Sequence, residues 1–148
     1  MAPLQSPAAS VRVVGGRGAL SERGSAVVDF VLVSVLILGL LLAVLQVAVY
    51  VHVRNVVTAS AQEGARYAAN ADVPSDAGAP RTVEIVGRAT SERTAQGLSC
   101  TSAEEVEAGS GLTLVVVRCD GAVPSLVPAL GDLLPLSVTG RSVKEGAQ

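Results

Sequence analysis

Residues Phe30–Val53 read FVLVSVLILGLLLAVLQVAVYVHV, and within them only Ser34, Gln46, Tyr50 and His52 are neither apolar nor glycine. Between Asp29 and Arg54 no formal charge appears. A helix needs about 20 such residues to cross roughly 30 Å of hydrocarbon. The run is therefore long enough to span a bilayer with some tilt, and a membrane helix is expected from about Ala26 to about Val53. A buried core helix is a poor alternative, because a small domain cannot wrap every face of a 24-residue apolar cylinder. A cleaved secretory signal is the stronger rival. Its apolar core would be about 7 to 15 residues, followed by an A-x-A-like site. This run is longer, and Arg54-Asn55-Val56-Val57 follows it.

The rest of the 148 residues leaves room for one small domain. Hydrophobic residues make up 49% but aromatics only 2%, so once the apolar run is set aside few large side chains remain to build a core. Such a domain needs a staple or a partner. Cys100 and Cys119 both lie beyond the run, and an even count on one side of a membrane favours a disulfide in an oxidising compartment. The alternative is two buried reduced thiols. A bridge would close a loop of about 20 residues and stabilise by roughly 3 kcal/mol in the loop-entropy description.

Flanking charge gives the orientation. Arg12, Arg17 and Arg23 precede the helix expected from Ala26 against the single acid Glu22, whereas Arg54 and Arg66 lie within about 15 residues after it. The bias places the N terminus in the cytoplasm and the C-terminal portion, with both cysteines, outside. The net charge is −2 and the arginines are scattered singly, so nothing supports a nucleic-acid partner.

Arg23-Gly24-Ser25-Ala26-Val27-Val28-Asp29-Phe30 leads directly into the run. A carboxylate at the mouth of a membrane helix is costly unless it is interfacial or paired. One reading of Asp29 is an interfacial acid stabilised by the helix N-terminal dipole, worth about 0.3–1 kcal/mol. The other comes from a resemblance. A basic leader ending in Gly, an acid five residues later, an aromatic and a long apolar helix together resemble the class III signal of type IV prepilins and pseudopilins. That likeness implies cytoplasmic cleavage between Gly24 and Ser25 by a prepilin peptidase, removal of the leader 1–24, and Asp29 as the fifth mature residue. The family usually has Glu there. Asp29 would stand one helical turn from the new α-amino group of Ser25, and would compensate that charge in its own or a neighbouring subunit.

The helical pattern continues past Val53 through residues 54–70 and is expected to end near Asn70, before a loop over 71–80 that holds Pro74, Gly78 and Pro80. From Ser25 to Ala69 it would measure roughly 65–70 Å. Ala61, Ala65 and Ala68 make a narrow small-residue face suited to close approach, by the chain's own domain or by another helix. With RGSAVVDF and RNVVTASAQEGARYAA flanking the apolar run, the chain resembles the TadE family of tight-adherence (Flp-type) pilus assembly proteins over about residues 23–70. Gly64, Ala65, Arg66, Tyr67 and Ala68 match that family's GARYA-type segment. The resemblance implies a structural pseudopilin-like role in the bacterial cytoplasmic membrane. The implied partners are pilin, related pseudopilins, the membrane platform, the prepilin peptidase and lipid.

Residues 81–148 are expected to form a small α+β domain outside the membrane. Val83, Val86 and Ala89 are spaced for a helix over Arg81–Gln96, stopped by Gly97. Gly111–Cys119 is the clearest strand, and Asp120-Gly121 reads as a turn. Val123–Leu133, interrupted by Pro124 and Pro128, reads as a short helix or loop. Leu134–Val143 reads as a second strand of a short antiparallel sheet. Glu104, Glu105 and Glu107 read as a solvated acidic patch.

Candidate chemistry is sparse. His52 is the sole histidine, so neither a zinc site of nitrogen and sulfur ligands nor a Ser-His-Asp triad is expected. Gly15-Gly16-Arg17-Gly18 lacks the Lys-Ser/Thr of a phosphate loop. No cofactor and no enzymatic activity are expected. Gly39 and Ala43 form a small-xxx-small pair inside the run, a hint of helix–helix contact. The alternative to pilus assembly is a single-pass anchor that presents a small extracytoplasmic binding domain.

Overall fold

The computed structural model describes residues 19–123, 125 and 134–146, with side chains described from Ser25 onward. Most of the expected leader and most of the Val123–Leu133 connection lie outside the described residues.

Helix α1 spans Ala19–Ala69. It starts seven residues ahead of the expected Ala26. Ala19 to Arg23 contain no helix breaker, and the one Gly that follows costs a helix only about 1 kcal/mol. Its end at Ala69 agrees with the sequence reading. The stretch from Ser25 is long and apolar enough to cross a membrane, and none of its most apolar window is buried. Ser34 does not disturb that stretch, because its hydroxyl donates to Phe30 O one turn back at 2.7 Å.

A single 3₁₀ turn, Ser75–Ala77, leads into α2, Gly78–Ala89. The expected loop is thus shorter than 71–80. Gly78 and Pro80 fall in the first turn of α2, where proline's missing N–H costs nothing. The single helix expected over Arg81–Gln96 is in fact two. Thr90 ends α2 and Ser91 caps α3, Glu92–Gln96, by accepting from Thr94 N at 3.2 Å.

Three strands follow: β1 Leu98–Val106, β2 Thr113–Val123 and β3 Leu134–Val143, an antiparallel meander in the order β1-β2-β3. β2 is longer than expected. Asp120 and Gly121 lie in the ladder opposite Ser99 and Leu98, so they are strand and not turn. Val115 to Val123 supply apolar residues on both sides of this dipeptide, and pairing on both edges overrides the local turn preference. The β1–β2 hairpin turns at Gly111, which adopts φ +70°, a conformation that favours glycine. β1 has no counterpart in the sequence reading, because LSCTSAEEV is mostly polar. As an edge strand it takes its order from β2.

Residues 41–148 form one compact unit and residues 1–40 another. Within the larger unit one sheet face carries Leu98, Cys100, Val117, Cys119, Val123, Leu134, Leu136 and Val138, and these pack with Val53, Val57, Ala61 and Ala65 of α1 and Val86 of α2. Close approach rests on two glycines. A Cβ on Gly140 of β3 would collide with the backbone of Ala61, and one on Gly64 of α1 would collide with Thr82 Oγ1 and lie 2.6 Å from Gly78 O. The opposite sheet face is mixed, with Thr101, Glu105, Arg118 and Arg141 beside Leu114 and Val116. Arg118 pairs with Glu105 across the row that holds Val116, and Val116 is only 1% exposed.

Candidate functional site

The residues singled out in the sequence sit on α1 in two settings. Ser25, Asp29 and Phe30 are exposed, Phe30 at 72%. Gly24 is helical, inside α1 and not at its start. No cation lies within ion-pairing distance of Asp29 among the described residues. Gly39 and Ala43 are exposed too, and a Cβ at Gly39 would meet nothing within 4 Å.

From Gln46 onward the helix acquires an inner face. Gln46, Val49 and Tyr50 are partly buried, and Val53, Val57, Ser60, Ala61, Gly64, Ala65, Ala68 and Ala69 are buried. Their spacing of three and four is that of one helical stripe. Of the two occupants that the alanine face allowed, the chain's own domain takes it: Ala61 and Ala65 join the main core, and Ala68 and Ala69 pack with Val115. The GARYA segment is thereby divided. Gly64, Ala65 and Ala68 turn inward, whereas Arg66 and Tyr67 turn outward, with Tyr67 42% exposed.

The outward side has its own architecture. Ala59, Gln62, Glu63 and Arg66 of α1 and Arg141 and Ser142 of β3 line a cleft of about 310 Å³. Gln62 Oε1 accepts from Arg141 N at 3.3 Å, which ties β3 to α1 at that point. Around the helix, the Arg81 guanidinium lies 5.6 Å from the centre of the Tyr67 ring, a cation–π distance. Arg81 also donates to Glu84 at 2.8 Å. That hydrogen bond, then the charges of Arg81 and Arg88, hold the Glu84 carboxyl below the usual glutamate range. The Arg118 hydrogen bond, with the charges of Arg118 and Arg141, does the same for Glu105, and in turn raises Arg118. The acidic patch is thus a set of engaged side chains: Glu104 accepts from Ser75, and Glu107 from Ser110.

Sequence reasoning missed Lys144, the one lysine of the chain. Its Nζ donates to Ala68 O at 2.9 Å, Asn70 O at 3.1 Å and Val73 O at 2.7 Å. Together with Glu145 N on Ala69 O at 2.8 Å, it closes the C-terminal end of α1. A lone Lys ten residues from Leu134 carries no local signal of this. Cys100 and Cys119 form the expected disulfide as directly opposed residues of β1 and β2, with Cα atoms 4.1 Å apart. His52 is exposed on α1. Among the described residues no group of three or more His, Cys, Asp or Glu is placed to hold a metal.

Among the described residues this arrangement offers helix surface: an apolar exposed part, then a docked part whose far side carries Arg66, Tyr67 and the arginine-lined cleft. Residues 24–66 match a protein-family model. The family is that of TadE-like proteins. The match starts at Gly24, ends within the GARYA segment, and covers less than a third of the chain. No curated protein and no solved structure matches. The TadE-like segment supports an involvement in Tad pilus-related function.

Proposed function

We propose that this chain is a pseudopilin-like component of tight-adherence pilus biogenesis, acting structurally and without catalysis of its own. The observation that carries the reading is the extent of the TadE-like match, which begins at Gly24 and follows α1 into the docked part. On this reading the N terminus is cytoplasmic, the domain is extracytoplasmic, and a prepilin peptidase hydrolyses the Gly24–Ser25 bond. The Cys100–Cys119 disulfide supports that placement, since it belongs to an oxidising compartment. Asp29, exposed and without a cation beside it among the described residues, is suited to meet the Ser25 ammonium of a neighbouring subunit. The domain uses its own alanine face internally. Contacts with pilin, related pseudopilins and the membrane platform therefore fall to the exposed apolar part of α1 and to the outward Arg66 and Tyr67.

Intact mass and N-terminal sequencing of the membrane-extracted protein, from cells that contain a prepilin peptidase, test the reading. A chain that starts at Ser25 is expected; any other start removes the processing step. Asp29→Ala then separates assembly from simple anchoring. Loss of copurifying pilus components supports assembly, and unchanged copurification supports an anchor that presents an independent domain.

A further inference from the structure

The apolar run is longer than a bilayer needs, and its last turns are already occupied. From Gln46 the helix faces its own domain, with Val49 and Tyr50 packed on the core and Val53 buried in it. Tyr50 Oη donates to Pro135 O at 3.3 Å, at the start of β3. Twelve residues further on, Gln62 accepts from Arg141 N. Those twelve helical steps measure about 18 Å, and the six strand steps from Pro135 to Arg141 measure about 20 Å. β3 therefore runs alongside α1 in the same direction, and Pro135 stands level with Tyr50. Across the sheet, Pro135 pairs with Ala122, and the next row holds Leu98, Gly121 and Leu136. The exposed Gln96 and Gly97 immediately precede Leu98.

If hydrocarbon reached Val53, as hydropathy alone suggests, this end of the sheet would lie inside it. Lipid-exposed strand ends and open backbone groups do not occur in hydrocarbon, where no water satisfies them. We propose that the hydrocarbon ends at about Gln46 and that residues 47–53, with the Pro135 end of the sheet, rest in the headgroup layer of the outer leaflet. The proposal rests on reading α1 as a membrane span. It names the lipid headgroup surface as the partner of that end of the domain, with Tyr50 in the interfacial position that tyrosines favour. It also moves the inner boundary. A span of about 20 residues that ends at Gln46 reaches back to Val27, so Asp29 lies at the inner margin of the hydrocarbon and Ser25 just outside it.

Cysteine reactivity tests this directly, because the two native cysteines are bonded to each other. Leu41, Val51, His52 and Ala59 are all exposed in the protein, Leu41 at 52% and Val51 at 48%, so protection of any of them reports lipid and not packing. Single variants Leu41→Cys, Val51→Cys, His52→Cys and Ala59→Cys would be placed in the full chain, in nanodiscs of phosphatidylethanolamine and phosphatidylglycerol. A charged maleimide reaches both bilayer faces there. The expected result is that Val51→Cys and His52→Cys react within a few-fold of Ala59→Cys, while Leu41→Cys reacts at least tenfold more slowly until detergent is added. Protection of Val51→Cys and His52→Cys to the level of Leu41→Cys overturns the proposed boundary and leaves the span intact. Rapid reaction of Leu41→Cys in the nanodisc overturns the span itself.

Discussion

One helix contains two regions of opposite logic. Between Ser25 and Leu45, α1 is built from Val, Leu and Ile, and nearly all of them are exposed in the protein. Between Gln46 and Ala69 its buried positions are Val, Ser, Ala and Gly, and several are fully covered. Hydrophobicity therefore does not predict burial here. Side-chain size does, because the sheet approaches closely only where the helix offers small residues and where Gly140 offers none. The first region leaves its apolar surface exposed, and the second uses backbone proximity to make a core from small parts.

The sharpest way to break that comparison is to enlarge a glycine in each region. Gly140→Val forces a side chain into the backbone of Ala61. We expect a loss of about 3 kcal/mol or more, at the upper end of overpacking, seen as a domain that melts early or resists purification. At Gly39 a Cβ would meet nothing within 4 Å beyond its own helical turn, so Gly39→Val should leave thermal unfolding of the domain in detergent unchanged. Equal effects would mean that the two regions are not distinct.

The disulfide ranks next. It belongs wholly to the small-part core, where Cys119 is buried in the same cluster as Val57 and Ala61. Cys100→Ser with Cys119→Ser should lower stability by about 3 kcal/mol for a sequence separation of 19. Chemical denaturation with and without reductant measures it. Helicity of residues 25–45 should survive, because a helix satisfies its own backbone within the segment.

Lys144→Met follows. Ala68 O in the last turn of α1, and Asn70 O and Val73 O just beyond it, lose a charged donor. A hydrogen bond to a charged group contributes about 1.5–3 kcal/mol when well shielded, but Asn70 is exposed and water replaces part of the loss. We expect about 1–2 kcal/mol, together with faster amide exchange at residues 68–73. Unchanged exchange there would show that the helix end holds without its cation.

The two regions differ equally in how far sequence reveals them. The apolar run, the helix end near Asn70, the disulfide pair and the first part of β2 were legible, because each has a local cause: hydropathy, a following Pro74, an even cysteine count and a β-branched run after Gly111. β1, the α2–α3 break and the Lys144 cap were not. β1 is polar and is recruited by β2, the break at Thr90-Ser91 depends on a capping serine inside a helix-compatible stretch, and Lys144 acts on carbonyls some 70 residues away. The alanine face was legible as a contact surface, but its occupant was not, since the close fit depends on Gly140 in a distant strand. Burial also shows what hydropathy hides: the apolar run already belongs to the domain from Gln46.

The smallest expected effect is electrostatic and again confined to the domain. Glu84 and Glu105 are both held below the usual glutamate range, first by a hydrogen bond from Arg81 or Arg118 and then by neighbouring guanidinium charge. A carboxyl lowered in the folded state adds stability that is complete above its unfolded pKa. That stability is lost as pH falls through the lower folded value. The raised Arg118 adds stability at every pH below its unfolded value, so it contributes no slope on the acid side. The Tm of the domain should hence be flat from neutral pH to mildly acid, then fall below the ordinary glutamate range. Both pairs are exposed, so the fall should be small and should shrink at high salt. Glu105→Gln should remove the Arg118 share of the acid-side slope, and Arg118→Ala should do the same while also uncovering Val116. Acid slopes unchanged from the parent protein in both variants, with a lower neutral Tm in Arg118→Ala alone, would show that Arg118 serves as a cover for Val116 and that its charge contributes nothing measurable.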